Sequence, residues 1–440
     1  MLRATQVTGQ TSDSRASNVG AGLTVSNDVY NLPAGPVALA AGIEARRESL
    51  QQSYSDFIAS GDVLGGAGVS PSLPPARRNV FSLFGELNLP LAKDLEVNLA
   101  ARYDDYSDFG GTTNPKVTLR WQPSRTLLLR AAYGTGYRAP TLSNLHQPQS
   151  IAPALGYKDP LRCPVTDDYY DCQGGFVLKE GGNPSLEPET SQQVNAGFVF
   201  EPVAALSMGI DYYWVRLKNV INFVPIETIL GADHAAWAPG YVVRNPPDAQ
   251  YPGLPGKIDY VVQYSTNVGT LTTSGIDVNL EWRGPATAIG RFSLALNGTY
   301  VLDYAQGGYE SAGVPSAGTR NPLGVGAIAR YRQYAQLNWT LGPWGATLAN
   351  NYQSGYSEPC REEDPTGCTA RRVGSYSVWD LQARYTGLKN ATFTLGVRNA
   401  LDQAPPLSNQ GDGFQVGLDP SYADARGRMF YLALSYAFGP

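Results

Sequence analysis

No segment of this 440-residue chain is apolar enough, for long enough, to cross a membrane as a helix. The longest apolar-rich run, 37–43, falls far short of the roughly 20 residues a spanning helix needs. Residues 1–10 likewise hold no apolar core of signal-peptide length, so no signal peptide is expected. A membrane-spanning form would have to be a β-barrel, the other structure that satisfies its own backbone in lipid. Histidine is nearly missing, with His146 and His234 the two present. No Gly-x-Ser-x-Gly segment accompanies them, which leaves no nucleophile–base pair for an enzyme and too few ligands for haem or a metal. No catalytic residue, metal or cofactor is expected. Positive charge is also short, at 33 Lys and Arg against 38 Asp and Glu, a net charge of −5. A nucleic-acid partner is excluded because no basic face can neutralise phosphates. Arg46-Arg47 and Arg371-Arg372 are isolated pairs that read as solvated strand ends. The four cysteines form two close pairs, Cys163 with Cys172 and Cys360 with Cys368, in turn-rich segments without a neighbouring histidine. Two thiols are an incomplete zinc site, so local disulfides in an oxidising compartment are expected.

Glycine (48) and tyrosine (27) are plentiful, as many strands and turns require. The last stretch, 428–438, sets the pattern: Phe430, Leu432, Leu434, Tyr436 and Phe438 share one face, against Tyr431, Ala433, Ser435 and Ala437 on the other. The same alternation recurs at 19–30, 37–50, 80–89, 95–103, 116–121, 127–137, 191–200, 206–215, 292–304, 331–341, 346–356, 376–385 and 392–399. Ile276, Val278, Leu280 and Trp282 against Asp277, Asn279 and Glu281 is its cleanest instance. Tight turns (31–36, 90–94, 122–125, 201–203) alternate with long polar loops, one of about fifty residues ending at Pro188. To keep that order, 259–282 is read as one long strand with a bulge near Gly269. About fifteen strands result, with turns on one side, loops on the other and a polar second face that indicates a wet lumen. The expected fold is all-β, an antiparallel transmembrane outer-membrane β-barrel.

Two stretches resemble a paired family signature. Tyr137-Arg138-Ala139-Pro140, followed after a loop by Asn183-Pro184-Ser185-Leu186-Glu187-Pro188-Glu189, is similar to the aromatic-Arg-Ala-Pro and Asn-Pro-x-Leu-x-Pro-Glu segments of TonB-dependent outer-membrane receptors. Gly275-Ile276-Asp277, Val397-Arg398-Asn399-Ala400-Leu401-Asp402 and the terminal aromatic strand also look like this family, so the resemblance covers residues 20–438. Physically the signature residues read as structural, since Pro140 and Pro188 mark strand ends. The resemblance implies a receptor that takes up a scarce nutrient, a ferric siderophore first among the candidates, with oligosaccharide, cobalamin and haem as others. It also implies the partners: an energy-coupling TonB complex acting through an N-terminal plug, outer-membrane lipid, and a barrel-assembly machinery that reads a C-terminal aromatic such as Phe438. Tyr157, Tyr169, Tyr170, Trp237, Tyr241 and Tyr309 are the loop aromatics available to a ligand. Asp167, Asp168 and Asp171 form an acid cluster that could bind calcium but reads as a solvated loop. Complete receptors have a plug and about 22 strands. Residues 1–440 are therefore expected to be the C-terminal portion of the barrel domain, without plug or signal peptide. A passive porin-like channel and an inert fragment are the alternatives.

Overall fold

The computed structural model describes residues 8–60, 71–224, 226–231, 240–307, 314–321, 326–358, 371–408 and 417–438. Fifteen strands follow one another in a single antiparallel sheet: β1 (Ser12–Leu32), β2 (Gly35–Tyr54), β3 (Leu73–Ala92), β4 (Leu95–Tyr106), β5 (Gly110–Ser124), β6 (Leu127–Arg138), β7 (Glu189–Val203), β8 (Leu206–Lys218), β9 (Thr270–Arg283), β10 (Arg291–Gly307), β11 (Tyr331–Leu341), β12 (Trp344–Gln353), β13 (Tyr376–Leu388), β14 (Ala391–Arg398) and β15 (Met429–Tyr436). Each pairs with its sequence neighbours in this series; among the described residues β1 and β15 have no partner on their outer sides.

Register turns the sequence alternation into two continuous faces. Leu39, Leu87, Leu99, Val117, Tyr133, Val194 and Trp214 stand opposite one another from β2 to β8. Leu294, Leu337, Leu348, Leu381, Val397 and Phe430 continue the belt from β10 to β15. These side chains face outward: Phe430 is 72% exposed and Leu432 74%. No soluble sheet leaves so long an apolar belt uncovered. The opposite face carries Arg120, Arg130, Gly197, Asp211, Asp277, Thr299 and Arg332 in one row. Phe438 lies just past β15, edge-on to Tyr436 at 4.9 Å.

Tight turns close one end. Asp94 (φ 67°) and Asn390 (φ 62°) take the left-handed conformation that a two-residue hairpin turn requires, at residue types that tolerate it. The opposite end carries the long connections, with one exception: β4 and β5 extend further than the alternation predicted and are joined by three residues, 107–109, where Tyr106 stacks on Phe109 at 4.5 Å. A second departure is larger. Residues 259–282 are not one bulged strand. Gly269 (φ 80°) breaks the run, and Ile258–Asn267 leaves the barrel sheet to pair in parallel with Phe176–Gly181 in the preceding long connection. The turn-and-loop order survives, because that strand belongs to a loop.

Candidate ligand-binding lumen and loop body

The described residues of connections 139–188 and 219–269 fold into one body above β6–β9. Ser150–Ala154, Phe176–Gly181, Ile258–Asn267, Ile221–Phe223 and Val242–Arg244 make a small five-stranded sheet. Val224, Ile226, Ile229, Val261 and Leu178 form its core.

The signature residues build the neck beneath it. Arg138 ends β6 directly opposite Glu189, the first residue of β7. Its guanidinium grips the Glu189 carboxylate through both Nε (2.6 Å) and Nη2, and the same carboxylate accepts the Ile221 N–H at 2.7 Å. Tyr137 hydrogen-bonds Tyr106 through their hydroxyls at 3.0 Å. Ala139 leads into Pro140, which is fully buried and whose carbonyl accepts from Arg78 Nη1 at 2.6 Å. Asn183 donates its backbone N–H to the Asn144 carbonyl at 2.7 Å and its Nδ2 to the Ser265 carbonyl at 3.1 Å. Pro184 is exposed, whereas Leu186 is buried with Leu145 and Ile221. Pro188 sits between this turn and β7. Asn267 then clips the crossing chains, donating to the carbonyls of Glu187 (2.8 Å) and Asn219 (2.9 Å).

Cys163 and Cys172 are disulfide-bonded, with Cα atoms 5.0 Å apart. Beside each half-cystine stands one member of a buried pair: Arg162 Nε lies 3.1 Å from both oxygens of Asp171. Arg162, which is fully buried, also donates to the Pro255 carbonyl at 2.8 Å, and Arg244 grips Asp159 at 2.7 and 3.0 Å. These bonds weld the two connections together. Asp171 is therefore not part of a solvated acid loop. Burial disfavours its charge, but hydrogen bonds from Arg162 and Thr166 outweigh burial and hold its carboxyl below the ordinary value. Asp168 accepts the Tyr170 N–H at 2.8 Å and lies 3.8 Å from Lys257, and Asp167 takes a left-handed turn (φ 47°). Among the described residues no group of three or more His, Cys, Asp or Glu could hold a metal.

The loop aromatics separate into two kinds. Tyr157 packs on the loop core against Phe176 (5.8 Å) and Tyr241 against Tyr264 (6.5 Å), so both are occupied structurally. Tyr169 and Tyr170 are 65% and 68% exposed on the disulfide-closed segment, with the Lys257 ammonium 5.5 Å from the Tyr170 ring. Trp237, Tyr309, His234, Cys360 and Cys368 lie outside the described residues; His146 ends the helix Leu142–His146.

Below the neck, the wall from β5 to β12 borders an open cavity of about 1020 Å³ whose lining includes Asn195, Asp277, Asn279, Asn297, Arg332 and Asn351. Arg130 reaches across β7 to Asp211 at 2.7 and 2.5 Å, and Thr299 donates to Asp277 at 2.6 Å. The reach is possible because Gly197 lies between them, where a Cβ would stand 2.2 Å from the Asp211 carboxylate. Gly197→Ala is expected to separate the pair and cost about 1–3 kcal/mol, read as a lowered unfolding midpoint. Sequence reading missed Arg130–Asp211 and Arg162–Asp171. The second pair left a trace, since each member immediately precedes a cysteine.

The profile of the family described as TonB dependent receptor-like, beta-barrel, matches residues 3–400. The chain belongs to that family. As a TonB-dependent receptor barrel it is an all-β outer-membrane protein and not an enzyme, and it has curated relatives. It is 24% identical over 406 residues to the ferric enterobactin receptor PirA of Pseudomonas aeruginosa, covering 91% of this chain and 47% of that protein. To the ferrienterobactin receptor of Escherichia coli it is 22% identical over 390 residues, covering 86% and 45%. The barrel thus spans about half the length of the relatives it matches. Among solved structures, a variant of the ferric enterobactin receptor from Pseudomonas aeruginosa in complex with enterobactin superposes with a TM-score of 0.69 at 18% identity, covering 96% of this chain and 54% of that one. The siderophore receptor PirA from Acinetobacter baumannii gives 0.68 at 15% identity, covering 97% and 55%. These likenesses establish the fold.

Proposed function

We propose that this chain is the C-terminal part of the barrel of a receptor for energy-coupled uptake of a ferric siderophore. The observation that carries the reading is the cavity of about 1020 Å³, bordered by Asn195, Asp277, Asn297 and Arg332, behind a cross-braced loop body that displays Tyr169 and Tyr170 beside Lys257. A bulky aromatic anion finds flat rings and a cation at the entrance, and a wet passage beyond. The relatives named as ferric enterobactin receptors support the same class. In this reading the outer apolar belt meets outer-membrane lipid, Phe438 is offered to the barrel-assembly machinery, and coupling to the TonB complex passes through a plug. The test is binding and uptake of radiolabelled ferric enterobactin by cells producing the receptor that contains this barrel. Saturable uptake that stops when the proton gradient is dissipated is the expected result, with about tenfold weaker binding after Tyr169→Ala and Tyr170→Ala together. Passive, non-saturable entry would overturn it in favour of a porin-like channel.

A further inference from the structure

Two Arg-Arg dipeptides lie on adjacent strands, Arg46-Arg47 on β2 and Arg77-Arg78 on β3, and strand alternation splits each of them between the two faces of the sheet. The inward members are fully engaged. Arg46 bonds Glu48 (3.0 Å) and the Tyr106 hydroxyl (2.9 Å); Arg78 is buried and bonds Glu48 (2.6 Å), Asp108 (3.4 Å) and the Pro140 carbonyl (2.6 Å). The outward members are exposed and have no acidic partner among the described residues. Arg47 donates to Asn79 Oδ1 at 3.0 Å, and Arg77 makes no side-chain hydrogen bond or ion pair there.

Register sets the two outward-facing arginines side by side. Arg47 stands opposite Asn79, and Arg77, two residues from Asn79, stands opposite Ser49. That is a diagonal cross-strand pair, roughly 7–8 Å apart at the backbone. Towards the tight-turn end the same face turns apolar at once: Val19 opposite Arg47, then Ala45 opposite Phe81 and Ile43 opposite Leu83. A depression of about 730 Å³ opens at this border, its lining including Val19, Arg47, Asn79, Phe81, Asp105 and Ser107.

Two exposed arginines with no acidic partner among the described residues, at the loop-side edge of an apolar belt, match an amphiphile whose head is a phosphate. We propose that this outer-wall depression, together with Arg77 and Leu83, which adjoin it on the same face without lining it, docks a phosphorylated lipid, its phosphate between Arg47 and Arg77 and its chains along Val19, Phe81 and Leu83. Guanidinium binds phosphate through paired N–H donors, and the neighbouring amide and hydroxyls add further donors. Asp105 is the one carboxylate lining the depression and works against the anion. The site faces away from the lumen; it rests on the membrane placement of the outer face and not on which cargo the receptor carries.

The test uses the full chain in detergent, with retained lipid counted by native mass spectrometry against dioleoyl phosphatidic acid, dioleoylglycerol and inorganic phosphate. Phosphatidic acid is expected to be retained on the order of tenfold better than dioleoylglycerol, and Arg47→Gln with Arg77→Gln to erase that preference. Asp105→Asn should raise retention several-fold, an opposite sign that damage to the fold does not produce. Equal retention of the two lipids, an unchanged preference in the double variant, or no gain in Asp105→Asn overturns the proposal, and so does displacement of the lipid by inorganic phosphate alone. Ferric siderophore binding, measured in parallel, should be indifferent to the double variant; failure of the parent protein to bind siderophore would refute the uptake reading and leave the lipid result standing.

Discussion

Asp171→Ala is expected to release the loop body from its compact state while leaving the barrel sheet intact. The substitution breaks the bidentate contact of the fully buried Arg162 and leaves it Asp248, 3.7 Å away, as its remaining ion-pair partner, a change that costs about 3–5 kcal/mol of local stability. Hydrogen exchange of the amides in 159–172 and 242–257 should accelerate by several orders of magnitude, and exchange in β6–β9 should stay slow. Replacing both members, Arg162→Met with Asp171→Leu, should cost far less than either single change, because no charge is then stranded. The pH dependence follows from the direction of the Asp171 shift. Its folded carboxyl titrates below the unfolded value, so the pair's contribution is complete above about pH 4 and fades as the pH falls further, through the folded value. Protection should therefore be flat from neutral pH down to about 5 and drop only in stronger acid. Removing the disulfide by Cys163→Ser and Cys172→Ser is a milder change. The bridge closes a loop with a sequence separation of 9, and its loss costs about 2–3 kcal/mol at every pH.

The barrel strands were legible in the sequence because their two faces meet different surroundings. Ile276, Val278, Leu280 and Trp282 cannot exchange faces with Asp277, Asn279 and Glu281 without placing charge on the outer belt, so alternation fixes both the strand and its orientation. The tight turns were legible for a local reason, the tolerance of Asp94 and Asn390 for a left-handed backbone. The loop body was not, because its order is non-local. Ile258–Asn267 pairs with a strand some eighty residues earlier, in parallel, and nothing in its own alternation distinguishes a barrel strand from a loop strand. The site suffered in the same way. Asp171 looked like one of three clustered acids because its partner, Arg162, is brought against it only when the disulfide-closed segment folds back. Arg46-Arg47 looked like a solvated strand end, and half of that was correct: Arg47 is exposed, but Arg46 is locked into the inner wall by Glu48 and Tyr106. A dipeptide of like charges says nothing about its environment until the strand that carries it is assigned two faces.

The second large effect is expected at Glu189. Its carboxylate ties three chain crossings at the neck: it begins β7, receives the Arg138 guanidinium from the end of β6, and accepts the Ile221 N–H just beyond β8. Glu189→Ala removes the acceptor for a buried donor and a bidentate ion pair together. Arg138 is half exposed and can be hydrated in its place, so the desolvation penalty falls mainly on the Ile221 N–H, and the expected cost is about 2–4 kcal/mol. Glu189→Gln keeps one acceptor oxygen for the Ile221 N–H and loses the charge and the acceptor for Arg138 Nε, which water can replace at this half-exposed arginine, so it should cost about 1 kcal/mol. The two variants divide the possible roles of this residue. If Glu189 serves the neck, Glu189→Ala lowers the temperature at which the loop body loses protection from proteolysis, Glu189→Gln nearly restores it, and ferric siderophore affinity follows stability in both. If instead the carboxylate acts on the ligand, Glu189→Gln alters affinity as strongly as Glu189→Ala while proteolytic stability is preserved. The geometry favours the first outcome, because Arg138 and Ile221 already occupy the carboxylate and its side chain is buried beneath the loop body.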